Sequence, residues 1–252
     1  MIEPRSVLAW VMLVGFAVTA PLTVLNGIPS GLGLRQLVWI FVSGVGNVAG
    51  LLFIYKALRV GKVSIVAPIS STEGAIAAVL AVVAGESLGI SAGLMLGVIA
   101  VGVVLASITP GVGSGDPLRA SLLAAAAAIC FGASLFATAR IGDSLPLIWA
   151  LIPARAIGVV VVTLPLVASR TLRITRPAVP LVVVSGLCEV AGFASYAIGA
   201  RHGIAISAVL ASQFAAVAAL AAYFLFRERL ARLQVIGIAA IMVGVAVLSA
   251  TT

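Results

Sequence analysis

Charge is what this sequence has least of. Of 252 residues, 15 are Lys or Arg and 7 are Asp or Glu, 9% in all, where a soluble globular domain has about a quarter. So few charges cannot cover a water-facing surface, which excludes a soluble enzyme and a disordered chain. There is one histidine, too few for a histidine-based metal site. Cys130 and Cys188 both lie inside apolar runs, which argues against a disulfide framework or a zinc site. A phosphate-binding loop is lacking too. The glycines from Gly111 to Gly115 follow no strand and are not followed by Gly-Lys-Ser/Thr. No cofactor is implied. The net charge of +8 invites a nucleic-acid reading. However, the basic residues sit in short clusters between long apolar segments, the distribution of a membrane protein, and no nucleic-acid partner is expected.

What is abundant is apolar surface. Hydrophobic residues make up 63% of the chain and the mean hydropathy is +1.30. A membrane-spanning helix needs roughly 20 mainly apolar residues to cross about 30 Å of hydrocarbon at about 1.5 Å per residue. Segments bounded by charges and breakers predict nine such spans. The first starts at Ser6 and ends near Leu25, and the second lies between Arg35 and Lys56. The third runs from Val63 to Gly85 and the fourth from Glu86 to Thr109. A breaker-rich linker follows, then the fifth span between Arg119 and Arg140. The remaining four cover Leu145–Ser169, Ala178–Ala200, Gly203–Phe226 and Leu233–Ala250. Continuous apolar runs of this length predict helices rather than a barrel. Arg5 before an apolar stretch also fits a signal peptide, but the repeat described next maps that segment onto a true span.

Ser43-Gly44-Val45-Gly46-Asn47-Val48-Ala49-Gly50 matches Ser185-Gly186-Leu187-Cys188-Glu189-Val190-Ala191-Gly192 at five of eight positions, at an offset of 142. The same offset pairs Pro4 with Pro146, Gly61 with Gly203, Ser70 with Ser212, Glu86 with Glu228, and Gly102 with Gly244. A constant offset that also pairs rare glutamates is evidence of an internal repeat. The repeat divides the chain into a first half, 1–110, a linker, 111–117, and a second half, 118–252. The first half has four spans and the second five, because the partner of the fifth span would lie before Met1. A five-span unit is odd, so the two halves insert in opposite orientation, the inverted-repeat plan of secondary transporters.

At this point the chain resembles the EamA-type transporters of the drug/metabolite transporter superfamily. The residues that carry the resemblance in the first half are Tyr55, Ala57-Leu58, Ser64, Pro68, Gly85-Glu86-Ser87-Leu88, Gly97 and Gly102-Val103. In the second half they are Phe131-Gly132, Pro146, Arg155, Tyr196, Ser207, Arg227-Glu228-Arg229-Leu230, Gly237 and Gly244-Val245. The resemblance implies an all-α integral membrane protein, a ten-helix inverted repeat here lacking its first helix. It also implies a multi-pass protein of the cell (inner) membrane that transports a small solute. Ala211, near the place where Pro68 stands in the first half, is a departure. The absent helix is expected to be supplied by an upstream start. A homodimer that covers the gap, or a collapse of neighbouring helices, would also close it.

Ionisable residues inside membrane helices are costly and by default functional. Three lie well inside spans: Glu73, Arg155 and Glu189. Ser185, Glu189, Gly192 and Tyr196 share a helix face, and Ser43, Asn47 and Gly50 make the equivalent face of the second span. Ser70 lies three residues before Glu73, and Ser212 with Gln213 occupies the same depth in the other half. These stripes are expected to surround a cavity for a small-molecule substrate, with Asn47, Ser70, Glu73, Arg155, Glu189, Tyr196 and Gln213 as its substrate- or proton-binding residues. The bland alternative is that Arg155 pairs with one glutamate as a structural ion pair and the hydroxyls and amides bond helix to helix. One arginine leaves one carboxyl without a cation, a candidate proton carrier. Glu86 and Glu228 read as structural helix-end residues. Gly89, Gly93 and Gly97 read as helix-packing residues, with a homodimer contact as the alternative. Trp39, Trp149 and Tyr196 are candidate cavity aromatics.

Three functions compete: a secondary transporter of a small metabolite, amino-acid-like solute or drug; an accessory membrane protein without transport; and an intramembrane enzyme. The last has little behind it, since Gly132-Ala133-Ser134 lacks the second glycine of a nucleophile elbow and no Asp pair lies in a span. Eleven basic residues fall on the N-terminal side of the nine spans and three on the other, which puts the N-terminus in the cytoplasm. The family resemblance implies instead a cytoplasmic C-terminus.

Overall fold

The computed structural model describes residues 4–61, 63–107, 116–213 and 231–251. Every regular element among them is helical. The helices are α1 (Pro4–Asn26), α2 (Leu34–Val60), α3 (Val63–Ser70), α4 (Glu73–Val83), α5 (Ile90–Ser107), α6 (Pro117–Gly142), α7 (Leu147–Gly158), α8 (Leu164–Ala168), α9 (Val179–Gly199), α10 (Ile204–Ala211) and α11 (Arg232–Thr251). A π-helical turn, Val159–Thr163, joins α7 to α8, and a 3-10 turn, Arg176–Ala178, leads into α9. The π-turn comes just before Pro165, which has no N–H to give to the helix ladder.

Five helical stretches are long and apolar enough to cross a membrane: Arg5–Asn26, Leu34–Val60, Leu118–Gly142, Leu147–Ala168 and Arg176–Gly199. Glu73–Val83, Ile90–Leu105 and Arg232–Gly244 are shorter apolar helices.

One expectation needs correcting. The third span is not a single helix from Val63 to Gly85: it stops at Ser70 and restarts at Glu73. The physical reason is in the intervening hydroxyls. Ser70 and Ser71 donate to the Ala67 carbonyl, and Thr72 donates to the Ile69 carbonyl, at 2.7–3.1 Å. The same two carbonyls also accept the backbone N–H groups of Ser71 and Thr72, so the three hydroxyls are satisfied locally and compete with the helix ladder at the break. At the repeat position in the other half, in the eighth span, a helix also ends. α10 ends at Ala211, and Ser212 donates to the Val209 carbonyl at 2.9 Å. The rest of that span, with Tyr223 and the Glu228 motif, lies outside the described residues, as does the glycine-rich linker up to Gly115.

The chain forms two compact units. One comprises Met1–Val48 and Ser134–His202, the other Ala49–Ala133 and Gly203–Thr252. Each therefore draws on both halves of the repeat, and α2 and α6 each continue from one unit into the other.

In the first unit α1 packs against α7 and α9. Glycines set the approach: a Cβ on Gly158 would stand 2.6 Å from Met12, and one on Gly186 2.7 Å from Val14. Helices in lipid gain little from hydrophobic burial against one another, so close backbone approach supplies much of the attraction. A small apolar cluster of Ile141, Leu145, Ala150 and Ala197 closes one end, with Trp39 and Trp149 packed against it.

In the second unit α5 packs along α11 and α4 along α10. Gly102 faces Gly237 and Ile241, and Gly244 faces Ile99. Val66 of α3 packs with Ala57, Ala120 and Ala124. Among the described residues nothing stands within 4 Å of a Cβ on Gly93 or Gly97, and both line an apolar groove of about 290 Å³ along α4 and α5. A four-residue glycine spacing permits a close crossing but cannot supply the partner helix.

Candidate functional site

Of the seven candidate residues, Asn47, Arg155, Glu189 and Tyr196 lie in the first unit. Ser70, Glu73 and Gln213 lie in the second.

Arg155 sits on α7, one turn before the π-turn, and is completely buried. Its Nη2 stands 3.5 Å from Oε1 of Glu189 on α9. Its guanidinium carbon lies 4.6 Å from the centroid of the Phe193 ring, one turn along α9 from Glu189. The cation thus has a carboxylate beside it and a π-face against it, the two devices that lower the cost of burying an arginine. Room for it comes from Gly15 on α1, where a Cβ would stand 3.0 Å from Arg155 Cγ. Glu189 keeps 22% of its side-chain surface exposed, so the pair is sealed on the arginine side and open on the carboxylate side.

Tyr196 is buried and donates its hydroxyl to the Leu135 carbonyl of α6 at 2.9 Å. This bond gives it a structural anchor as well as its place on the Glu189 face. Ser185 and Gly192, the other members of that face, are exposed. Asn47 is buried, and its Oδ1 has no hydrogen-bond partner. Its neighbour Ser43 shares a 2.7 Å hydrogen bond with Thr138, and Ser134 donates to the Ser43 carbonyl at 2.7 Å. Trp39 stacks edge-to-face on Phe136, with ring centroids 5.6 Å apart.

In the second unit the helix break and its repeat counterpart meet. Gly74, the residue after Glu73, lies against the Ala208 carbonyl and the Ser212 hydroxyl, and Gly132 of α6 lies against the Glu73 carbonyl and Ile76. Ser70 and Ser212 are buried but turn their hydroxyls to their own helices. Gln213 has a buried Nε2 without a hydrogen-bond partner. Glu73 stands in the first turn of α4, where the aligned N–H dipoles favour a negative group, and it has no ion-pair partner among the described residues. Among the described residues, then, Glu189 is the carboxyl beside Arg155, and Glu73 has no cation beside it.

Glu86 has a definite structural role. Its two carboxylate oxygens accept the backbone N–H groups of Ile204 and Ala205 at 3.1 and 3.2 Å. α10 begins after Gly203, which has no side chain to cap it, so a carboxylate 118 residues earlier does so. A side-chain cap of this kind stabilises a helix start by about 0.5–2 kcal/mol.

Two contributors escaped the sequence reading. Phe193 had a usable signal, since it lies four residues after Glu189 and on the same helical face. Gly15 had none; its role appears only once α1 crosses α7.

Apolar helices of membrane-spanning length, an interrupted helix and a buried ion pair define a multi-pass membrane protein. Residues 1–108 match the EamA-like transporter family. The match covers the first part of the chain, which is in this sense similar to the EamA-like transporters. A crystal structure of a protein 19% identical superposes with a TM-score of 0.78, covering 100% of this chain and 88% of the other. It shows a shared fold. Among curated proteins none matches the chain.

Proposed function

We propose that the protein is a secondary transporter, acting as an exporter, of a small metabolite, amino-acid-like solute or drug. It crosses the inner membrane in nine spans and works by alternating access between two inverted repeats. The observation that carries this reading is the Arg155–Glu189 pair. A fully buried arginine and a carboxylate, inside helices of membrane-spanning length, are costly features that usually mark a substrate or ion path.

The roles follow from the surroundings. Arg155 and Glu189 bind a charged group of the solute or a proton. Tyr196 and Asn47 supply polar contacts on the two repeat-related helices, α9 and α2. Ser70 and Glu73 flank the break between α3 and α4, and Gln213 follows the end of α10. Interrupted helices are where transporters of inverted-repeat design commonly bind substrate and coupling ion. Glu73, without a cation, is the candidate proton carrier. The sequence has no nucleotide-binding motif, so the energy comes from an ion gradient or from the solute gradient.

The test is flux. Purified protein in liposomes is expected to move a solute that empty liposomes exclude, and to do so faster when a pH gradient is imposed. The rival reading, an accessory membrane protein, predicts no flux of any solute under either condition.

A further inference from the structure

Arg155 is balanced in charge but not in hydrogen bonding. Neither Nε nor either terminal nitrogen has a hydrogen-bond partner, although the residue is completely buried. Its contact with Glu189 is 3.5 Å, well beyond the roughly 2.7–2.9 Å of a charge-assisted bond. A guanidinium presents five N–H donors in one plane. Phe193 lies against it at 4.6 Å, and a stacked ring takes up a face while leaving the donor edges in the plane unused. Gly15 keeps the space beside Cγ and Nε free of any side chain. A planar fork of unused donors, stacked and held in place, matches the two oxygens of a carboxylate.

We propose that Arg155 binds the carboxylate of a small organic anion, and that Glu189 takes up one proton as that anion displaces it. The inference rests on the transport reading above and narrows its substrate class. The balance is simple. Before binding, the arginine cation faces the Glu189 anion. Afterwards it faces the substrate anion, and Glu189 is a neutral acid. The site has no net charge in either state, whereas two carboxylates on one guanidinium would leave an unpaired charge among apolar helices. Among the described residues of the helices packed here, no other carboxylate or imidazole is placed to take the proton. α1 carries only Arg5, in its first turn, and α7 only Arg155. The turn before α9 carries Arg176, and α9 itself adds the exposed thiol of Cys188 and the phenol of Tyr196, whose hydroxyl donates to the Leu135 carbonyl. One carboxylate therefore travels with one proton.

The full chain in liposomes holding a trapped pH dye tests this. The probes are L-alanine, succinate and lactate, each against its amide: alaninamide, succinamide and lactamide. At least one carboxylate is expected to raise the unfolding temperature of the detergent-solubilised protein and to acidify or alkalinise the lumen as it moves. Its amide should bind at least about tenfold more weakly, since one charged partner is lost. Arg155→Gln should lose carboxylate binding by a similar factor and Arg155→Lys should keep part of it. Glu189→Gln should bind the carboxylate but no longer move protons with it. An amide as good as its acid, or undiminished carboxylate binding by Arg155→Gln, overturns the proposal. So does a panel in which no carboxylate binds. The acid-to-amide ratio needs no variant, so it stands even where a substitution harms folding. If solutes lacking a carboxylate move through the wild type, transport survives and this inference falls. If carboxylates bind and nothing moves, the site survives and the transport reading falls.

Discussion

The patch Ser43–Gly50 on α2 and its repeat counterpart Ser185–Gly192 on α9 share five of eight residues, yet their surroundings differ. On α2, Ser43 is buried and bonded to Thr138, and a Cβ on Gly50 would stand 2.6 Å from the Phe131 ring. On α9, Ser185 is exposed, and nothing lies within 4 Å of a Cβ on Gly192. The difference is α6: its Phe131, Ser134 and Thr138 cover the α2 patch, and the α9 patch has no equivalent cover among the described residues. At the centre of the patches stand Asn47, uncharged, and Glu189, paired with Arg155. A helix face is thus buried by its partner and not by its own sequence, and two copies of one patch can serve packing in one place and binding in another.

Substitutions at paired positions can break or sharpen this contrast. The largest difference should come from the centre. Glu189→Ala strands a buried guanidinium, which costs about 3–5 kcal/mol when the pair is fully buried and somewhat less here because Glu189 is partly exposed. Asn47→Ala removes one amide and should cost about 1 kcal/mol. Thermal unfolding in detergent should show a much larger fall for the first. Equal falls would mean that Arg155 is held by something other than Glu189.

The second difference is steric. Gly50→Leu forces a side chain into Phe131 and should cost about 1–3 kcal/mol. Gly192→Leu enters open space and should stay within about 0.5 kcal/mol. A Gly192 variant as unstable as the Gly50 variant would show that the α9 patch is covered in the folded protein. The smallest difference concerns the hydroxyls. Ser43→Ala should lose about 0.6 kcal/mol, the mean for interhelical hydrogen bonds in membranes, while Ser185→Ala should be close to neutral. A measurable loss at Ser185 would assign it a partner.

Much of this was legible in the sequence. The 142-residue offset depends on rare residues at constant spacing, and it pairs the two patches and the two helix ends at Ser70 and Ser212. The Arg155 pairing was legible as a charge balance, because a lone intramembrane cation must find a carboxyl; which glutamate it finds depends on how α7 meets α9. The helix break at Ser71–Thr72 was less visible. Apolar hydropathy hides it, and only the Ser-Ser-Thr run hints that side chains will bond back to the backbone and compete with the helix ladder. The Glu86 cap on α10 could not be read, because it joins residues 118 positions apart through a tertiary contact. The glycine spacing on α5 is open for the complementary reason: small residues show where helices are able to approach, and the presence of the second helix is a matter of tertiary structure.

The most direct test of the central claim removes the ion pair without stranding either charge. Replacing a buried ion pair by apolar residues is often neutral or stabilising, so the double variant Arg155→Leu with Glu189→Leu should fold with near wild-type thermal stability. Reconstituted beside the wild type, it is predicted to lose the carboxylate-driven proton movement altogether. A folded double variant that moves the same solute and protons at the wild-type rate would make the pair a structural element and contradict the account.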